Sequence, residues 1–169
     1  MPAKKKTEAP IGLEIGADAP NLQLPDETGK TTSLMDLAGE KGLALLFIRS
    51  VGWCAFCKKQ TRLLVEISAE MREVGWPVAA LSYDSPDILI AIKEQHSLDF
   101  PLLSDEQSVV IDAYALRNNR VKPESRSVGV PHPAFVFIGH DGTVKHVLRE
   151  TNYMKRPQND EVLALAKAL

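Results

Sequence analysis

The sequence predicts an α/β fold with a central mixed β-sheet flanked by helices, and three features of the chain point to it. Leu43 to Ile48 is a continuous apolar run of strand length, the pattern of a strand covered on both faces. Between Leu63 and Val74 the apolar residues recur at helical spacing; a second apolar run, Val78 to Tyr83, is again followed by a helical stretch, giving a β-α-β-α alternation. Ala134 to Ile138 and Thr143 to Leu148 flank His140-Asp141-Gly142, which reads as an antiparallel hairpin.

Residues 1 to 12 are small, charged and Pro-containing without apolar periodicity, so a flexible N-terminal tail is expected before a single domain spanning residues 13 to 169. Ala19 to Pro25 and Thr31 to Leu34, joined by Asp26-Glu27-Thr28-Gly29-Lys30, predict a small β-hairpin. Ser33 is placed to cap a short helical turn through Leu37, ended by Gly39. A helix of about five turns is expected to open at Cys54 and stop at Gly75. Asp84-Ser85-Pro86 reads as a cap with proline in the first turn of a helix reaching about His96. Phe100 to Leu103 is a short strand, and Ser104 or Asp105 caps a helix covering Val109, Val110, Ala113 and Tyr114. Residues 117 to 132 form a loop long enough to suggest a functional role, and a last helix runs from about Asn159 to Ala168.

The 169 residues are 44% hydrophobic and 25% charged with a formal net charge of -2, which suits one soluble globular domain. Apart from Lys4-Lys5-Lys6 the cations are dispersed, so no basic face for nucleic acid is expected. No apolar run is long enough for a membrane span, and no signal-peptide core follows the basic N-terminus, so the cytoplasm is the expected compartment.

The chain has two cysteines, Cys54 and Cys57. A bridge closing so small a loop adds little as a staple, so the pair points to redox chemistry or metal binding. Zinc is not expected: of the four histidines, His140 and His146 alone have ligand-like spacing, and a predicted turn separates them. The attacking species in thiol chemistry is the thiolate, and a helix beginning at Cys54 stabilises it through free backbone N–H groups and the macrodipole. The i, i+3 spacing puts Cys57 one turn on, on the same side. Lys58, Lys59 and Arg62 add positive potential nearby, and Arg49, which ends the buried strand on the motif's side, is the strongest cation candidate. Trp53 and Phe56 are expected to shield the sulfurs and tune access to them. His132 is a proton-donor candidate, although a surface loop histidine is the commoner case.

Trp53-Cys54-Ala55-Phe56-Cys57-Lys58 after an apolar strand resembles the Trp-Cys-x-x-Cys active site of the thioredoxin superfamily. Phe47-Ile48-Arg49 followed by Cys54 to Lys58 resembles more closely the peroxiredoxin-like branch, the alkyl hydroperoxide reductase and thiol-specific antioxidant family. The likeness extends over residues 13 to 169 through Gly16 to Pro20, Leu81 to Pro86, Phe100 to Asp105 and Pro131 to Gly142. It implies a thioredoxin-like fold with a peroxiredoxin-type N-terminal hairpin. It also implies a thiol peroxidase without bound cofactor or metal. Its substrate is a peroxide or disulfide, and its reductant is thioredoxin-like or a low-molecular-weight thiol. A homodimer is compatible with the resemblance, which leaves the oligomeric state open. Pro133 matches the superfamily's cis-proline, which faces the motif and helps bind the partner chain, with Pro131 as the alternative.

Departures from the family pattern bear on function. The signature Pro-x-x-x-Thr-x-x-Cys is absent: Cys54 occupies the Thr slot and Ser50 the Pro slot before Cys57. The family's arginine is missing near Pro133, leaving Arg49 or Arg126 to substitute. The segment holding Asn152, Tyr153 and Arg156 resembles the family's stretch before the final helix, with no chemistry assigned to it. The superfamily pattern makes Cys54 the nucleophile, whereas alignment to peroxiredoxins puts that role on Cys57; the decline of helix-terminus stabilisation along the first turn favours Cys54. Three readings compete: a peroxidase cycling through a Cys54–Cys57 disulfide, a reductase of protein disulfides, and a non-catalytic redox sensor acting through loop 117 to 132.

Overall fold

The computed structural model describes residues 10–150, 152 and 154–169. Residues 1–9 of the expected tail, and Tyr153, lie outside the described residues; Gly12 donates its N–H to the Ala115 carbonyl at 2.8 Å and Ile11 packs on the core.

The chain forms β1 (Gln23–Pro25), β2 (Thr31–Ser33), a 3-10 turn (Leu34–Leu37), β3 (Gly42–Phe47), α1 (Ala55–Glu73), β4 (Val78–Ser82), α2 (Pro86–His96), β5 (Leu102–Ser104), α3 (Val109–Ala113), β6 (Ala134–Gly139), β7 (Val144–Arg149) and α4 (Asn159–Ala168). β1 and β2 make the small hairpin, and the main sheet has the order β5-β4-β3-β6-β7. β3, β4 and β5 run parallel; β6 pairs antiparallel with both β3 and β7, so the sheet is mixed as expected.

All six residues of β3 are buried, which is what a central strand between two layers requires. Its side chains alternate between two cores. Ala44 and Leu46, with Ile48 beyond, pack with Leu64, Ile67 and Met71 of α1 and Val162 and Ala166 of α4. Leu43, Leu45 and Phe47 pack on the other face with Leu34, Val110, Ile111 and Tyr114. Gly42 is needed where β3 meets β6, because a Cβ there would stand 2.0 Å from the Ile138 carbonyl oxygen. Gly75, at φ +89, turns the chain from the end of α1 toward β4.

Several expected caps form as read and others change hands. Ser33 caps the 3-10 turn in a reciprocal pair with Asp36. Asp105 accepts from Val110 N–H at 3.2 Å and Ile111 N–H at 2.8 Å, so its carboxylate serves α3 although Ser108 holds the cap position. Asp84 does not cap α2; its carboxylate turns back to the loop after β3.

The expectation of a cis-proline is corrected: no described peptide bond is cis, so Pro131 and Pro133 are both trans. Pro131 bridges antiparallel to Arg117, and His132 N–H bonds the Leu116 carbonyl at 2.7 Å. That extended pairing continues into β6 and agrees with the trans preference of X–Pro bonds. Among the described residues no helix is long and apolar enough to cross a membrane.

Candidate active site

The site forms where β3 delivers the chain to the loop 48–53 and α1 begins. The loop is pinned from below by Asp84, which follows β4 and is 4% exposed. The Asp84 carboxylate accepts from Ser50 Oγ at 2.7 Å, Val51 N–H at 2.8 Å and Ser82 Oγ at 2.6 Å. Ser50 Oγ in turn accepts from Gly52 N–H at 2.9 Å and Trp53 N–H at 3.3 Å. Five bonds thus fix the turn that presents the cysteines.

Cys54 is the N-cap of α1, and its Sγ accepts the Cys57 backbone N–H at 3.4 Å. The Cys57 Sγ accepts the Arg49 backbone N–H at 3.3 Å. Both thiols are free and buried, Cys57 completely and Cys54 at 3% exposure. Arg156, from the segment before α4, donates Nη2–H to Cys57 Sγ at 3.3 Å and stands 3.9 Å from Cys54 Sγ, while its Nη1–H bonds Gln60 Oε1 at 3.0 Å.

These contacts split the two thiols. The Cys57 thiol hydrogen-bonds the Cys54 sulfur and lowers its pKa, against a smaller opposing effect of burial. The Cys57 N–H and the charges of Arg156 and Arg49 add to the lowering, which brings Cys54 to about 5. Burial pushes the Cys57 thiol the other way, and its bond to the Cys54 sulfur holds the proton on Cys57. One sulfur is therefore a thiolate at neutral pH and its neighbour a protonated thiol.

Arg49 lies at the site as expected, in two ways: its N–H serves Cys57, and its guanidinium sits 4.9 Å from the Trp53 ring centroid and donates to Ser127 Oγ at 3.1 Å. Arg126 also stacks on Trp53, at 4.5 Å, without an observed bond to either sulfur. The Trp53 indole N–H donates to Tyr83 OH at 2.9 Å, and the Tyr83 hydroxyl donates to the Arg126 carbonyl, so loop 117–132 is strapped to the motif through Trp53. Phe56 does not fill the core edge. It is 40% exposed and lines a groove of about 430 Å³ with Lys59, Gln60, Leu63, Met154, Arg156 and Pro157. Pro133 is buried immediately before β6, whose Ala134 pairs with Phe47 of β3, so it stands at the motif's end of the sheet.

Lys59 and Arg62 face solvent, and Lys58 is half-buried. His132 is not at the motif: it is buried beside a separate cavity of about 610 Å³ lined by Ile11, Asp112, Arg117 and Arg120. Burial there, with Arg149 and Arg120 close by, lowers its pKa. The sequence singled out Arg156 without a chemical role and did not single out Gln60; of the expected Asp84-Ser85 cap, Ser85 holds the N-cap position and Asp84 serves the loop. The one available signal for Arg156 was the length of the last connection, which returns α4 to the side of α1, where Asn159 Nδ2 bonds the Leu63 carbonyl at 2.7 Å.

Residues 15–147 match the model of the AhpC/TSA family. The chain is 31% identical to the thiol-disulfide oxidoreductase ResA of Bacillus thuringiensis subsp. konkukian over 133 residues, 78% of this chain and 68% of that protein. It is 28% identical to the peroxiredoxin Bcp of Escherichia coli over 135 residues, 80% of this chain and 85% of that one. Among solved structures, the peroxidoxin BcpB of Mycobacterium tuberculosis superposes with a TM-score of 0.79 at 22% identity, covering 95% of this chain and 99% of that one. The peroxiredoxin Q of Xanthomonas campestris gives 0.76 at 22% identity, with 92% and 96% covered. These two establish likeness of fold.

Proposed function

The chain belongs to the AhpC/TSA family, and we propose that it reduces peroxides with Cys54 as the attacking thiolate and Cys57 as the resolving thiol. It is a thiol-dependent oxidoreductase. The observation that carries the assignment of roles is the split between the sulfurs. Cys54 caps α1, accepts two hydrogen bonds from Cys57 and is lowered to about 5, whereas Cys57 is fully buried and raised.

In the first step the Cys54 thiolate attacks one peroxide oxygen and the O–O bond breaks. The other oxygen leaves as alkoxide or hydroxide and takes up a proton, forming alcohol or water; Cys54 becomes a sulfenic acid. Cys57 then loses its proton and attacks the Cys54 sulfur, expelling hydroxide, which is protonated to water, and the Cys54–Cys57 disulfide forms. An external dithiol of thioredoxin type, or a low-molecular-weight thiol, supplies two electrons and two protons to restore both thiols. Arg156 stabilises negative charge on either sulfur, and the Arg49 N–H stabilises it on Cys57 when that thiol ionises to attack. Trp53, Phe56 and Pro133 bound the approach to the pair. A cytoplasmic setting suits the cycle, because its thiol pool keeps the pair reduced.

A second reading, reduction of protein disulfides, is favoured by the Trp53-Cys54-x-x-Cys57 form at a helix start and by the sequence relationship to a thiol-disulfide oxidoreductase. Stopped-flow oxidation by hydrogen peroxide and turnover of disulfide-linked insulin separate the two. Peroxide oxidation orders of magnitude above a free thiol, with slow insulin reduction, supports the peroxidase. Oxidation at the free-thiol rate alongside brisk insulin reduction rejects it for the second reading.

A further inference from the structure

Gln60 lies one turn beyond Cys57 on the buried face of α1, between the sulfurs and Leu64. It is 8% exposed, and its two amide atoms are unequally served. Oε1 accepts the Arg156 Nη1–H at 3.0 Å, whereas Nε2 is buried with no hydrogen-bond partner among the described residues. The orientation is fixed by chemistry: turned over, the amide would set its N–H donors against a guanidinium that has donors alone. A buried amide with an orphaned donor costs stability, so an apolar residue would serve packing better at this position. The group it does serve is Arg156, whose other terminal nitrogen is on Cys57 Sγ.

We propose that Gln60 is a positioning residue: its neutral carbonyl holds the Arg156 guanidinium against the two sulfurs, and this anchor, unlike a carboxylate, takes up none of the guanidinium's charge. The inference rests on the reading of Cys54 as the attacking thiolate. Among the described residues, the charged groups around this corner include Arg49 after β3, Lys59 and Glu66 on α1, Arg156 before α4 and Asp160 on α4. A glutamate at position 60 would stand closer to Arg156 than either acid and would pair with it, weakening its hold on negative sulfur.

The test is site-resolved alkylation of the reduced full-length chain against pH, with Tm measured in parallel. Gln60→Glu is expected to move the Cys54 midpoint up by about one pH unit. Gln60→Met, neutral and of similar size, is expected to move it up by less while Tm stays equal or rises, because the orphaned amide is gone. Midpoints unchanged in both variants, or a fall in Tm of Gln60→Met with the midpoint in place, would overturn the proposal by leaving Gln60 a packing role. An ordinary cysteine midpoint at Cys54 in the unsubstituted chain would instead overturn the reading beneath it.

Discussion

Arg156 reaches the Cys57 sulfur at 3.3 Å from a position 99 residues further along the chain. That bond, with the one from Arg156 to Gln60 Oε1, ties the segment before α4 to the first turns of α1. The guanidinium bonded to the sulfurs thus comes from the segment before α4, an element that nothing in the sequence places there.

Replacing Arg156 with Met removes a charge-assisted bond in a partly buried setting, and such bonds contribute about 1.5–3 kcal/mol. If that stabilisation is expressed in the reaction, kcat/KM for hydrogen peroxide falls by about tenfold to a hundredfold, and the Cys54 alkylation midpoint rises. An Arg156→Met protein with native peroxide kinetics would remove Arg156 from the machinery.

The two thiols make the stability of the reduced protein depend on pH with a definite sign. Cys54 is lowered to about 5 from the ordinary thiol value of 9.0, so between these limits the unfolded chain holds a proton that the folded one has lost. Its contribution therefore grows as pH rises from 5 to 9 and disappears as pH falls through 5. Cys57 is raised, so its contribution is complete below 9 and is lost above it. Denaturant titrations of the reduced protein against the Cys54→Ser variant should show the excess stability rising from pH 5 and greatest near 9. An excess independent of pH would contradict the split.

Asp84→Ala strips a buried acceptor from Ser50 Oγ, Val51 N–H and Ser82 Oγ at once. Stranded buried donors cost about 1–3 kcal/mol each, and partial relaxation toward water brings the expected loss to about 3 kcal/mol. Urea unfolding measures it. Asp84→Asn, which keeps one acceptor oxygen, should lose less.

Tyr83→Phe cuts the link from the Trp53 indole N–H through the Tyr83 hydroxyl to the Arg126 carbonyl. Global stability should fall by about 1 kcal/mol. Limited proteolysis within residues 117–132 should accelerate, and Trp fluorescence should change. Unchanged cleavage in that loop would show that the strap does not hold it.

Local signals carried most of the fold. The β3 run is apolar at every position because both faces are covered; the bounds of α4 follow from periodicity, and Cys54 sits at a helix start because the chain leaves a buried strand there. What stayed hidden depends on partners far apart in sequence. Nothing local to Arg156 marks it as a sulfur ligand. Asp84 before Ser85-Pro86 has the pattern of a cap, yet its carboxylate is taken by Ser50 and Val51 of the loop after β3 and by Ser82 at the end of β4, and Ser85 holds the cap position.

The central claim is that Cys54 attacks and Cys57 resolves, and trapping the sulfenic acid with a dimedone-type reagent after a short peroxide pulse tests it most directly. In Cys57→Ser the trapped adduct should form at Cys54 at the rate of the unsubstituted protein, and Cys54→Ser should react no faster than free cysteine. An adduct forming at Cys57 in Cys54→Ser at the full rate would reverse the roles and contradict the account.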